Sequence, residues 1–313
     1  MEIYTNRRGT VEHFKKYMHL KLDDLREVAR ASGLGNKCLF KMNIPEYPKP
    51  EFHVSRLKHD TGRESLCQVY KDGGFKDPLN GAKEPDRLSL VWWSLAVTPE
   101  EILSAERTLL ENTFPHRTEE QAHRQQNFLM DFATSPAFSE GSRYGSYRFT
   151  FTVQEVLKAY SEQFCSGMLP VMRVFKTSLY KQEVMYAVLV HSPDDDEAFK
   201  QYPKLVDDPK AVCAYRDGRF IWTSEAMCET HRYELRRDEE NNLAVVVPRN
   251  HEYYVWDNVA LALHVKSGQV LKFDSHDLKK NLSICERGQG VPQSAPGFDT
   301  DEEALKLVTS LGR

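Results

Sequence analysis

No run in this chain of 313 residues approaches the ~18 apolar residues that a membrane-spanning helix needs. The opening stretch, Met1 to Leu20, is charged throughout and holds no apolar segment, so it does not read as a secretory leader. Cysteine is sparse. Cys38, Cys67, Cys165, Cys213, Cys228 and Cys285 follow no framework spacing, which points to free thiols in a reducing compartment. Charge of one sign is lacking as well: 42 basic residues against 46 acidic ones leave a net charge of -4, with no global pull toward nucleic acid. Walker-type and dinucleotide-type glycine loops are absent, as are His-Glu-x-x-His and Gly-x-Ser-x-Gly. Those absences argue against a nucleoside triphosphatase, a dehydrogenase, a zinc protease and an α/β-hydrolase. The expectation is a cytoplasmic or nuclear protein with no membrane partner.

What is present divides unevenly. Residues 1–50 read as a small helical N-terminal segment, with Leu22, Leu25, Val28 and Ala29 at helical spacing and a stop at Gly33. Pro45, Pro48 and Pro50 make a linker after it. Residues 51–313 read as one domain. EFHVSRL predicts a strand, GRESLCQVYKDGG a helix stopped by Gly73, and RLSLVWWSLAV a buried strand. Thr98, Pro99 and Glu101 predict a capped helix start, and Thr152 another. RTEEQAHRQQNFLMDFATS reads as a single helix. Strands dominate after Pro170, with a hairpin turn at Asp217-Gly218 and a last helix at DEEALKLVTSL. The order predicts an α+β fold: a mostly antiparallel split sheet with helical insertions and a strand-rich C-terminal part.

Several side chains stand out. If Phe52 and Val54 enter the core, His53 and Ser55 share the opposite face of the first strand, as a polar pair or simply as its wet side. Trp92 and Trp93, adjacent on a strand, point to opposite faces, one into the core and one free to wall a flat ring. Glu183 opens an unbroken β run, where it could hydrogen-bond a sugar hydroxyl and stabilise positive charge. Arg148 and Arg173 lie on strands and could meet a phosphate. Cys228 and His231 have ligand-like spacing, with Cys213 or His251 as further donors, but four well-spaced donors are not evident and no metal is expected.

In this order the residues resemble the ADP-ribosyltransferase superfamily of the His-Tyr-Glu type, which includes the poly(ADP-ribose) polymerases. That family carries His-Gly-Thr or His-Gly-Ser on its first catalytic strand, then a helix and Gly-Phe, a Tyr-Phe strand, and a glutamate before a β run such as Glu-x-x-x-Tyr. Here His53-Val54-Ser55, Trp92-Trp93-Ser94 and Glu183-Val184-Met185-Tyr186 stand at the three places, over about residues 51–192. The resemblance implies NAD as substrate and a mono-ADP-ribosyltransferase, or an inactive relative that still binds NAD. His53 would hold the adenosine ribose, Ser55 the nicotinamide amide, and Trp92 or Trp93 the nicotinamide ring. Arg148 would join the NAD-binding set. Glu183 would hold the nicotinamide ribose and stabilise the oxocarbenium-like transition state as nicotinamide leaves. Val54 replaces the family's glycine. Lys181 stands two before the glutamate, where arginine modifiers have Gln or Glu, so a protein or nucleic-acid acceptor other than arginine is implied.

Two further readings rest on other stretches. One is a non-enzymatic interaction protein, in host defence or regulation, using Tyr253, Tyr254 and Trp256 as a partner surface. The other is nucleic-acid binding through residues 13–43, whose helix-loop-helix look would require a second helix.

Overall fold

Alternating apolar side chains set several strands of this protein, and hydroxyl caps start several of its helices. The computed structural model describes residues 1–5, 11–42, 48–77, 88–227, 233–247, 254–288 and 291–311. The chain begins with β1 (Glu2–Thr5), β2 (Val11–Lys16) and α1 (Leu22–Ala31), then β3 (Glu51–Val54), β4 (Arg56–Thr61), α2 (Arg63–Asp72) and β5 (Gly74–Phe75). Next come β6 (Leu90–Ala96), α3 (Pro99–Thr113), α4 (Glu119–Arg124), α5 (Leu129–Phe132), β7 (Tyr147–Thr152) and α6 (Val153–Phe164). β8 (Val171–Tyr180), β9 (Glu183–His191), β10 (Cys213–Arg216), β11 (Arg219–Thr223), β12 (Glu234–Arg237), β13 (Leu243–Val246) and β14 (Trp256–His264) follow. The chain closes with β15 (Leu271–Lys272), α7 (Ser275–Lys280), β16 (Leu282–Ile284) and α8 (Asp301–Leu311).

The fold is α+β. Among the described residues nine strands form the main sheet, in the order β1-β2-β8-β9-β14-β6-β4-β7-β16. Its neighbours run antiparallel except β9 and β14, which are parallel, with Trp256 opposite Glu183. A three-stranded sheet, β10-β11-β3, packs beside it. Full capping boxes start α3 at Thr98 and Glu101, α4 at Thr118 and Gln121, and α6 at Thr152 and Glu155. Gly73 stops α2 in the left-handed region at φ +68°, where a side chain would be strained.

The main sheet is split. β4 and β6 pair only from Arg56 opposite Ala96 to Lys58 opposite Ser94. Beyond that point β4 continues against β7 as far as Thr61 opposite Tyr147, and β6 continues against β14. The β5–β15 pair sits at this parting, where a Cβ on Gly74 would lie 2.1 Å from the Leu271 carbonyl oxygen, so only glycine fits. Phe75 packs edge-on against Trp93 at 4.8 Å, Phe149 at 5.1 Å and Phe273 at 5.7 Å. Edge-on ring pairs of this kind contribute roughly 0.5–1.5 kcal/mol beyond area burial.

Three expectations need correction. The stretch from Glu51 to Leu57 is not one strand: it breaks at Ser55 and passes from the small sheet into the main one. The cause is distant in sequence, because Glu101 Oε1 accepts both the Ser55 N–H at 2.8 Å and its hydroxyl at 2.7 Å. Residues 118–134 form two short helices, α4 and α5, with Glu106 accepting the Phe128 and Leu129 N–H groups at the start of the second. The N-terminal segment adds strands to its helix. β2 pairs with β8, and Leu25 and Ala29 of α1 are fully buried in the core. The second helix required for a helix-loop-helix grip on DNA does not form, since residues 32–42 hold turns.

Candidate functional site

The first expected pair does not stay together. Phe52 and Val54 are buried, so His53 does face outward, where Glu51 holds its Nε2 at 3.0 Å. Ser55 instead belongs to the cap of α3, since the second oxygen of Glu101 accepts the Thr98 N–H at 3.0 Å. Among the described residues no hydrogen bond, ion pair or ring contact joins His53 to Glu183, Trp92 or Trp93.

A different histidine stands at the split. His59 lies on β4, half-buried, with Phe75 at 5.0 Å and Trp93 at 5.5 Å between ring centroids. Its Nδ1 meets the Trp92 carbonyl at 2.8 Å. Burial lowers the imidazole pKa, with the Trp92 carbonyl and Asp60 opposing in part. The ring is therefore neutral at pH 7, its Nδ1–H donated to Trp92 and its Nε2 left as the acceptor. The signal was in the sequence: His59-Asp60-Thr61 is followed after Gly62 by α2 and then Gly74-Phe75. That is the His-x-Thr strand, helix and Gly-Phe order, six residues downstream of His53.

The two indoles go to opposite faces. Trp93 is buried in the aromatic cluster, whereas Trp92 is half-buried, stacked on Phe175 at 6.2 Å with Lys176 Nζ 5.6 Å from its ring. Arg148 does not reach toward a phosphate. It holds Asp60 with two hydrogen bonds, 2.7 and 2.9 Å. Burial works to raise the Asp60 carboxyl, but Arg148, Lys58 and Ser142 together hold it below the usual carboxylate range. Arg173 is likewise engaged, donating to His191 at 2.9 Å, the Tyr202 carbonyl at 2.6 Å and Asp196 at 2.7 Å.

Glu183 opens β9 as expected but is buried. One of its oxygens takes the Arg143 guanidinium, and the other accepts Asn258 Nδ2 at 2.8 Å. Arg143 in turn lies over the rings of Tyr180 at 5.7 Å and Trp256 at 5.4 Å. This is a stacked ion pair under β9 and β14, with both carboxylate oxygens occupied. Tyr254 and Trp256 are 7% and 2% exposed, so neither forms the exposed partner surface expected of them; Tyr253 lies outside the described residues.

Cys228, His231 and His251 also lie outside the described residues, and Cys213 is buried, with burial pushing its thiol up to about 12. Among the described residues no cluster of three His, Cys, Asp or Glu side chains could hold a metal ion, and no helix is long and apolar enough to cross a membrane. No family model, curated protein or solved structure matches the chain.

Proposed function

We propose that the protein is an NAD-dependent mono-ADP-ribosyltransferase, or a relative that retains NAD binding, with its nicotinamide site at the split between β4 and β6. The observation that carries the reading is the meeting of His59, Phe75 and Trp93 at that split. These residues bring together the His-x-Thr strand, the Gly-Phe and the aromatic strand in the expected order, with His59 in place of His53. The three motif-bearing elements need not meet in an arbitrary α+β fold, yet β6 and β4 are neighbours in the main sheet and Phe75 of β5 packs on both His59 and Trp93. His59 Nε2 would accept a ribose hydroxyl, and the Trp92-Trp93 strand would flank the nicotinamide ring.

Loss of nicotinamide leaves positive charge on the ribose, so the reaction needs a placed carboxylate more than it needs acid–base chemistry. Glu183 has both oxygens taken by Arg143 and Asn258. Glu183 is therefore a folding residue, which favours the form of the reading that retains NAD binding.

Thermal unfolding with NAD tests this. Ligand at 100 times its dissociation constant adds about 2.7 kcal/mol, a rise in Tm of about 5 °C for a chain of this size. The rise is expected to disappear in His59→Gln. Glu183→Gln lowers Tm with or without NAD. A flat titration at millimolar NAD overturns the reading. It would favour a non-enzymatic interaction protein, consistent with the way Phe75 and Phe273 pack into the split.

A further inference from the structure

A cleft of about 990 Å³ opens on another part of the molecule, between α6 and the three-stranded sheet. One wall is a single face of α6: Gln154, Leu157, Lys158 and Ser161 line it at positions i, i+3, i+4 and i+7. The other wall is β10, and all of its residues from Cys213 to Arg216 line the cleft. Successive side chains of a strand point to opposite faces, so a cleft that touches every one of them reaches the strand's edge, while Ile221, Thr223 and Glu51 carry it across one face of the sheet. β10 is the terminal strand of its sheet, and its outer edge has no strand partner among the described residues.

The hydrogen-bonding groups on that edge follow from the hairpin. Asp217 and Gly218, at φ +50° and +77°, form a two-residue turn that makes Arg216 and Arg219 a hydrogen-bonded pair. The alternation continues through Ala214 opposite Ile221 to Val212, whose carbonyl accepts the Thr223 N–H at 3.3 Å. Tyr215 and Cys213 therefore aim their N–H and C=O groups away from β11, into the cleft. An edge strand facing a helix across an apolar-floored groove suits a main chain that adds as another strand.

Charge along the groove is segregated. Gly218 abuts the Gln154 side chain, which places Arg216 at the end of the cleft where α6 begins, with Lys158 one turn along. At the Cys213 end stand Glu51, Asp207 and Asp208, with Lys204 beside them. Leu169 and Val206 at the rim are 84% and 87% exposed, large apolar side chains left in water.

We propose that this cleft binds an extended peptide of a partner protein by strand addition to β10. Its apolar side chains alternate onto the floor, an acidic residue meets Arg216 and Lys158, and a basic residue meets Glu51, Asp207 and Asp208. The proposal is independent of NAD binding. The test is selection of random linear peptides against the full chain, followed by fluorescence polarisation with a selected peptide. The expected result is enrichment of alternating apolar residues bounded by an acid and a base. Affinity should fall about tenfold or more in the Lys158→Glu/Arg216→Glu double variant and return when the peptide's acid is replaced by lysine. N-methylation of alternate peptide amides should weaken binding comparably. Circular dichroism and an unchanged Tm establish that the variant is folded. Failure to enrich any sequence overturns the proposal. So does a selected peptide whose binding survives either the charge reversal or the N-methylation.

Discussion

Replacing Asp60 by alanine is expected to cost about 3–5 kcal/mol of folding stability, because it strands one buried and one largely buried cation. Arg148 gives Asp60 two hydrogen bonds, and the Lys58 ammonium lies close by, donating to the carbonyls of Pro136 and Ala137. Lys58 is 6% exposed, and burial, with the nearby Arg148 charge, lowers its pKa to about 8. Without the carboxylate, Arg148 cannot shed its proton, and Lys58 must either lose its own or stay charged in a dry site. Urea denaturation at pH 7 reads the loss. Adding Lys58→Met to Asp60→Ala should recover part of it, since one of the two unpaired charges is then gone. A loss below about 1 kcal/mol would mean that the site is wet enough to screen the pair.

The second large effect is in acid. His19 is 1% exposed, its Nε2–H donated to the Ala187 carbonyl at 3.0 Å and its Nδ1 accepting the Val212 N–H at 3.3 Å. Protonation would place a second N–H against that of Val212. Burial lowers the imidazole from 6.5 to about 4, with the Ala187 carbonyl and Asp208 opposing in part. In the window between those values the unfolded chain binds a proton that the folded chain refuses, so stability falls as pH drops from about 6.5 to 4. The share of His19 is about 3 kcal/mol over that window. Asp257 acts in the opposite sense. Burial pushes it up to about 7, against donors from the backbone of Glu225 and Ala226 and from Ser224, so its stability contribution is lost as pH rises toward 7. The His19 share is therefore read as the difference in denaturation midpoint, pH 7 to pH 4.5, between the wild type and His19→Gln. Parallel slopes in the two proteins would refute it.

Local rules account for most of what could be read from the residues alone. Thr98 with Glu101, Thr152 with Glu155, Gly73 and the Asp217-Gly218 turn each carry their geometry within four residues, and each element ends or turns where that chemistry places it. What could not be read depends on distant partners. The break at Ser55 is made by a carboxylate 46 residues away, and an alternating E-F-H-V-S-R-L pattern carries no trace of it. The engagement of Glu183 depends on Arg143, and that of Arg148 on Asp60, and neither pairing leaves a spacing signature. His59 is the reverse case. Its place just before α2 is visible in the residues, but so is the His53-Val54-Ser55 pattern six residues upstream.

The parallel pairing of β9 with β14 also has a consequence for how the chain is made. β14 is the central stave between two blocks, β8 and β9 on one side and β6, β4 and β7 on the other. Neither block can close on its neighbour until the ribosome has delivered His264. Until then a nascent chain carries two open sheet edges rich in Val, Leu and Trp. Such a chain invites chaperone capture, and a premature stop before that point would leave a polypeptide prone to aggregate.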